Sequence, residues 1–112
     1  MDESAQLKKG STSLLVLVVL SRGKKHGYAI AREIEATSKG ALSMGEGALY
    51  PALRALERDG AVVSEWEHQQ STPPRKVYSL TDKGEQKLRK QMADWSEFTN
   101  GVAAVLQQAP AC

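Results

Sequence analysis

Cysteine is nearly absent: the single one, Cys112, stands at the last position. One cysteine cannot close an internal disulfide, so the fold rests on its core, and a reducing, cytoplasmic compartment is expected. Histidine is scarce too, with His26 in a connector and His68 in a polar turn. Two scattered histidines and a terminal thiol make no metal-ligand set, so neither metal nor cofactor is expected. The chain has no Gly-rich phosphate loop and no nucleophile motif, which argues against an enzyme. Long apolar runs are missing: the longest, Leu14 to Leu20, has seven residues. That is too short to span a bilayer, and no small-residue cleavage pattern follows it. Internal repeats and low-complexity segments are lacking as well. The formal net charge is only +2, compatible with nucleic acid, but where the charges lie matters more than their sum.

What remains is one modest domain's worth of chain, 112 residues, with an ordinary globular share of apolar side chains. Its organising stretch is Leu42 to Gly60. Ser43 followed by Glu46 fits a capping box, and Gly60 stands where a helix takes a left-handed stop. Leu49, Ala52, Leu53 and Leu56 recur at helical spacing and define a buried stripe. Gly47, Tyr50, Arg54 and Glu57 or Arg58 fall on the other side. A short helix with a small, partly basic outer face suits a major groove, although an ordinary amphipathic helix looks the same in isolation.

The neighbours decide. Residues 1–10 are polar and read as a flexible arm. Ser11, Thr12 and Ser13 offer N-caps to a central, buried helix holding Leu14 to Leu20; a buried strand is the alternative, and the caps and the Ser21-Arg22-Gly23 stop favour the helix. After the connector Lys24 to Gly27, residues 28–37 form a second amphipathic helix with Ile30 and Ile34 inward, closed by Gly40. Two helices joined by a short Gly-containing turn are a helix-turn-helix candidate. Residues 61–67 and 76–80 are β-prone, and the polar, Pro-broken segment 68–75 between them makes a hairpin, placed as a wing. Thr81-Asp82 caps a last helix running to about Gln108. The expected fold is mostly α with a small β-hairpin. It comprises an arm (1–10), a winged helix-turn-helix (11–80), a long C-terminal dimerisation helix (81–108) and a tail (109–112).

That last helix carries Leu88, Met92, Trp95, Phe98 or Thr99, Val102 and Val105 or Leu106 at spacings of three and four. About 27 residues reach roughly 40 Å, longer than a domain of about 80 residues can cover. A stripe holding Trp and Phe should not face water. Two solutions exist: a two-fold homodimer with these helices at the interface, which is the economical one, or a helix folded back on Leu14 to Leu20.

His26-Gly27-Tyr28, the run Gly47-Ala48-Leu49-Tyr50-Pro51-Ala52-Leu53, the Leu56 to Gly60 turn, and Arg75 to Gly84 with its Tyr78-Ser79-Leu80-Thr81-Asp82-Lys83-Gly84 piece resemble the PadR family of bacterial transcriptional regulators. The match spans roughly residues 8–106. The single long C-terminal helix resembles the family's small subclass. The resemblance implies a winged helix-turn-helix that dimerises through its last helix and binds inverted-repeat operators in double-stranded DNA, usually as a repressor. It also implies release by a small phenolic or planar hydrophobic effector. In small members the dimer centre can hold a cavity lined by an aromatic of the last helix, and Trp95 lies in the matching place. This wing departs from the pattern: its tip holds Ser71-Thr72-Pro73-Pro74 and only Arg75 and Lys76 as cations.

The DNA-contact candidates are Lys39, Ser43, Gly45, Gly47, Tyr50, Arg54, Arg75 and Lys76. Arg54 could reach a guanine edge or a phosphate, or sit in a surface ion pair; Tyr50 could donate to a phosphate, or pack against the wing. Ser43, Gly45 and Gly47 let the helix start approach the DNA backbone, where free amides favour a phosphate. Trp95 is either an effector platform or part of the dimer seam, with Met92 and Phe98 beside it and Asp94 and Glu97 as polar neighbours for a cationic ligand. No contact with a membrane is expected. The reading from another class is a winged-helix module that binds protein instead of DNA.

Overall fold

The computed structural model describes residues 3–70 and 72–110. Four helices and a small sheet follow in the order α1 (Glu3–Ser21), β1 (Lys25–His26), α2 (Gly27–Thr37), α3 (Glu46–Arg58), β2 (Val62–Gln69), β3 (Thr72–Leu80) and α4 (Asp82–Leu106).

Helix α1 is the centre of the core. Val16 and Leu17 are fully buried, and Leu14, Val19 and Leu20 nearly so. They meet Ile30 and Ile34 of α2, Leu49, Leu53 and Leu56 of α3, Val62 and Tyr78 of the sheet and Leu88 of α4. The helix starts at Glu3, not at the Ser11-Thr12-Ser13 caps. Those three residues lie inside it, because the segment ahead of them (Ala5 to Lys9) is made of good helix formers. Residues 3–10, read from sequence as a flexible arm, therefore continue the helix; residues 1 and 2 lie outside the described chain, as do the last two residues of the expected tail.

Helix α2 begins one residue earlier than expected, at Gly27, with His26 as its N-cap. Its end also differs. The left-handed residue that closes it is Lys39 (φ 56°), with Gly40 (φ 81°) after it. The Lys39 amide bonds the Ala36 carbonyl at 3.1 Å and the Gly40 amide bonds the Glu35 carbonyl at 2.9 Å, a Schellman ending displaced by one from the glycine.

The capping box at Ser43 does not form. Helix α3 starts at Glu46 with Gly45 as its N-cap and no side-chain cap bond. A glycine at 45 would cost about 1 kcal/mol inside a helix, which disfavours a start upstream. Ser38 Oγ meanwhile takes the Leu42 amide at 3.0 Å and holds that segment in a turn. The other end is as expected: Gly60 (φ 80°) closes α3, with the Ala61 amide reaching back to the Leu56 carbonyl at 2.8 Å.

The sheet has three strands in the order β1-β3-β2, all antiparallel. β1 lies in the segment whose sequence predicts a connector; it adds two residues to the edge of β3, pairing Lys25 with Tyr78 and His26 with Val77. The hairpin is longer than expected because Pro73 and Pro74 lie within β3. They fall where the register slips between Glu67 and Gln69 and beyond the reach of β1, so their missing amides remove little from the ladder.

Helix α4 opens on the Thr81 cap, whose Oγ1 accepts from the Gly84 amide at 3.0 Å. Only Gly84 and Leu88 of α4 are buried. From Met92 on, the helix projects from the domain, and the molecule measures 61 × 28 × 28 Å. The fold-back alternative therefore fails: Met92, Trp95, Phe98, Val102, Val105 and Leu106 are all exposed in the single chain.

Candidate nucleic-acid interface

Leu49, Leu53 and Leu56 pin α3 to the core and so fix which face it shows to solvent. Glu46, Gly47, Ala48, Pro51, Arg54 and Arg58 are exposed. Among the described residues nothing approaches the space above Gly45 or Gly47 within 4 Å, which leaves the start of α3 open there. Gly47, Ala48, Pro51 and Ala52 border a groove shared with Thr12 and Ser13 of α1. Pro51 is carried inside the helix without ending it.

Arg54 has no ion-pair partner among the described residues, and neither does Arg75 on the wing. Ser43 is exposed in the turn before α3, freed from the capping role expected of it. Lys39 is exposed in the preceding turn, at the left-handed position.

Tyr50 and Lys76 stand differently. The Tyr50 ring packs over Gly27: a Cβ on Gly27 would stand 3.1 Å from Tyr50 Oη and Cε1. This contact joins the His26-Gly27-Tyr28 and Leu49-Tyr50-Pro51 motifs in space. Lys76 is half-exposed and paired at the surface of the wing. Its Nζ lies 3.9 Å from Glu57 Oε1, and it stands 5.9 Å from the ring centroids of both Trp66 and Tyr78. Trp66, exposed at the foot of the wing, thus carries a cation on its face.

Residues outside the expected set complete the surface. Glu57 accepts the Ser64 hydroxyl at 2.6 Å and ties the end of α3 to β2. Its position seven residues after Tyr50, on the same helix face, was the available signal. His26 Nε2 lies 3.5 Å from Glu67 Oε1 and ties β1 to the far part of the wing. Tyr28 and Arg32 form an exposed pair on α2, with Arg32 Nη1 3.3 Å from the Tyr28 hydroxyl. Burial of Tyr78 holds its phenol above the ordinary pKa of 10.0; Glu57 and Tyr50 push the same way, and Arg54 opposes them.

On α4, the Trp95 and Phe98 rings sit 5.6 Å apart, tilted by 40°. Asp94 and Phe98 border a shallow groove with Glu97, Gly101 and Val102; Met92 and Trp95 are not part of it. Asp94 is paired with Lys90 at 3.2 Å. Thr99 is half-buried. Among the described residues no group of His, Cys, Asp and Glu is placed to hold a metal, and no helix is long and apolar enough to cross a membrane.

A helix pair with an exposed second member and a hairpin at its side is a winged helix-turn-helix. The model of the PadR-like transcriptional regulator family matches residues 16–90, more than half of the chain, which therefore belongs to that family. A PadR family transcriptional regulator from Eggerthella lenta is 32% identical in sequence, with a TM-score of 0.75 over 95% of this chain and 90% of that one. A PadR-like transcription factor from Bacteroides fragilis is 30% identical, with a TM-score of 0.76 over 91% and 96%. The fold is shared with a transcriptional regulator from Clostridium thermocellum, at 22% identity and a TM-score of 0.81 over 88% and 96%. The transcriptional regulator YqjI of Escherichia coli is 28% identical over 106 residues, covering 90% of this chain and 49% of that protein. The chain thus spans about half the length of the curated relatives it matches.

Proposed function

We propose that this chain is a dimeric, sequence-specific DNA-binding regulator of the cytoplasm, a repressor acting on an inverted-repeat operator. The observation behind this reading is the exposed face of α3, open above Gly45 and Gly47 and carrying an Arg54 with no ion-pair partner among the described residues. Lys39 and Ser43 flank its start, Arg75 projects from the wing, and the Tyr50 hydroxyl lies at the edge of the same surface. In a dimer joined along α4 the two α3 helices must fall in successive major grooves, about 34 Å apart. Release by a small hydrophobic or aromatic effector at the dimer centre belongs to the same reading. Met92, Asp94, Trp95 and Phe98 are its candidate contacts, supported by the adjacent exposed rings of Trp95 and Phe98.

The test is a gel shift with DNA from upstream of the chain's own gene, repeated at rising salt. A dimer-sized complex is expected, with affinity falling steeply as salt rises. Arg54→Ala should weaken it and reduce the logarithmic salt slope by about 0.9 if Arg54 meets a phosphate, with an unchanged circular dichroism spectrum. No shift at low salt would turn the assignment toward a protein-binding winged helix.

A further inference from the structure

Glu57 stands at the junction of α3 and the wing, and its two carboxylate oxygens face different partners. Oε2 accepts the Ser64 hydroxyl from β2 at 2.6 Å, and Oε1 faces Lys76 Nζ from β3 at 3.9 Å. Ser64 pairs with Tyr78 across the hairpin, and Trp66 pairs with Lys76. The four therefore share one face of the sheet, the face turned to the end of α3. The Lys76 ammonium, on a half-exposed side chain, stands 5.9 Å from the centroids of both Trp66 and Tyr78, with the Glu57 carboxylate beside it. One acidic group thus anchors both strands of the wing. It also meets a wing cation that the sequence alone assigns to DNA.

We propose that Glu57 is a positioning residue for DNA binding: it fixes the wing against the recognition helix and, by pairing with the half-exposed Lys76 at the surface, draws that cation's charge away from phosphate. The phosphate-facing charge at this end of the surface is then carried by Arg54 and Arg75. Neither has an ion-pair partner among the described residues. A wing with few cations spends one of them on its own attachment. The proposal rests on the DNA-binding reading, and wild-type binding in the same assay separates the two.

Counterion release makes the idea measurable, because each phosphate contact adds about 0.9 to the magnitude of the logarithmic salt slope. The probe is the DNA fragment from upstream of the chain's own gene, titrated with the full chain at several salt concentrations. Glu57→Gln keeps an oxygen for the Ser64 hydroxyl and removes the charge that holds Lys76. It should steepen the slope by about one phosphate contact and raise low-salt affinity several-fold. Lys76→Gln should leave the wild-type slope unchanged, yet abolish the steepening in the Glu57→Gln background. Ser64→Ala should weaken binding several-fold without altering the slope, increase amide exchange along β2, and be rescued by Ser64→Thr. A Lys76→Gln protein whose slope is shallower by about one unit would make Lys76 an ordinary phosphate contact and overturn the proposal. So would a Glu57→Gln protein with the wild-type slope. Thermal melts of each variant confirm folding. If the wild-type chain shifts no DNA at all, it is the DNA-binding reading that fails; protection of the β2 amides then still reports on the Glu57–Ser64 tie.

Discussion

The backbone of Ala61 occupies the space that a side chain on Gly84 would need. A Cβ on Gly84 would fall on the Ala61 carbonyl oxygen and stand 2.7 Å from Leu80 Cδ1. That carbonyl cannot easily yield, since it accepts the Thr81 amide at 3.1 Å and lies 3.0 Å from the Thr81 hydroxyl. The same hydroxyl oxygen caps α4 through the Gly84 amide. One contact therefore joins the end of α3, the end of β3 and the start of α4. Gly84→Ala should cost about 3 kcal/mol, the upper part of the overpacking range, because the obstacle is backbone. Calorimetry should show a melting temperature lower by about 10 °C or more. A loss of only a degree or two would mean that α4 can slide on the domain.

The parts of this fold that follow from periodicity and end signals were legible in the chain. Leu49, Leu53 and Leu56 mark the buried side of α3 by spacing alone, and Thr81 marks the start of α4 by its side-chain chemistry. The misplaced boundaries depend on competition that spacing does not record. Ser43 has the right neighbour for a capping box, yet Gly45 makes a first turn there costly and Ser38 captures Leu42. β1 is too short to carry any pattern; it exists because β3 offers a free edge at Tyr78 and Val77. At the candidate site the exposed face of α3 was foreseeable. The engagement of Lys76 by Glu57, and of Tyr50 by Gly27, was not. Both join residues far apart in sequence, and a cation or phenol alone carries no mark of its partner.

Lys39 closes α2 in a conformation that suits glycine. With φ at 56° it sits in the left-handed region, which costs an L-residue roughly 1 kcal/mol or more. Lys39→Gly relieves that strain but frees the unfolded chain, which returns part of the gain. The net effect should be a stabilisation of up to about 1 kcal/mol. Lys39→Ala is the control: it removes the charge and keeps the strained backbone, so its melting temperature should not rise. Equal melting temperatures for the two variants would show that the turn is unstrained.

Tyr78 should make the fold sensitive to alkali. Its phenol is held above the ordinary 10.0, first by burial and then by Glu57 and Tyr50, against an opposing pull from Arg54. A raised pKa means that the folded chain keeps this proton when the unfolded chain has lost it. The corresponding stability is complete below about pH 10 and disappears as pH rises through the folded-state value. Urea midpoints measured across that range should fall for the wild-type chain. They should fall less for Tyr78→Phe, which has no phenol to ionise. Parallel pH profiles would show that Tyr78 titrates as it does in the unfolded chain.

Trp95 is the residue whose substitution tests the proposed self-association. It lies near the middle of an exposed stripe that also holds Met92, Phe98, Val102 and Leu106, on a helix whose buried contacts end at Leu88. So much apolar surface along one rod favours pairing with an identical rod, and the exposed rings of Trp95 and Phe98 are where such a seam would gain most. Trp95→Asp would place a carboxylate there with no partner, at a cost of several kcal/mol on pairing. Sedimentation should show a dimer for the wild-type chain and a monomer for this variant, with loss of the dimer-sized DNA complex. Arg89→Glu lies on the same helix outside the stripe and should leave the dimer intact. In a Trp66→Phe background the single remaining indole reports on the seam directly. Its emission should shift to the blue as wild-type protein is concentrated through the association range. Emission of a solvated indole at every concentration would mean that nothing covers α4, and the paired arrangement of the two α3 helices would fall with it.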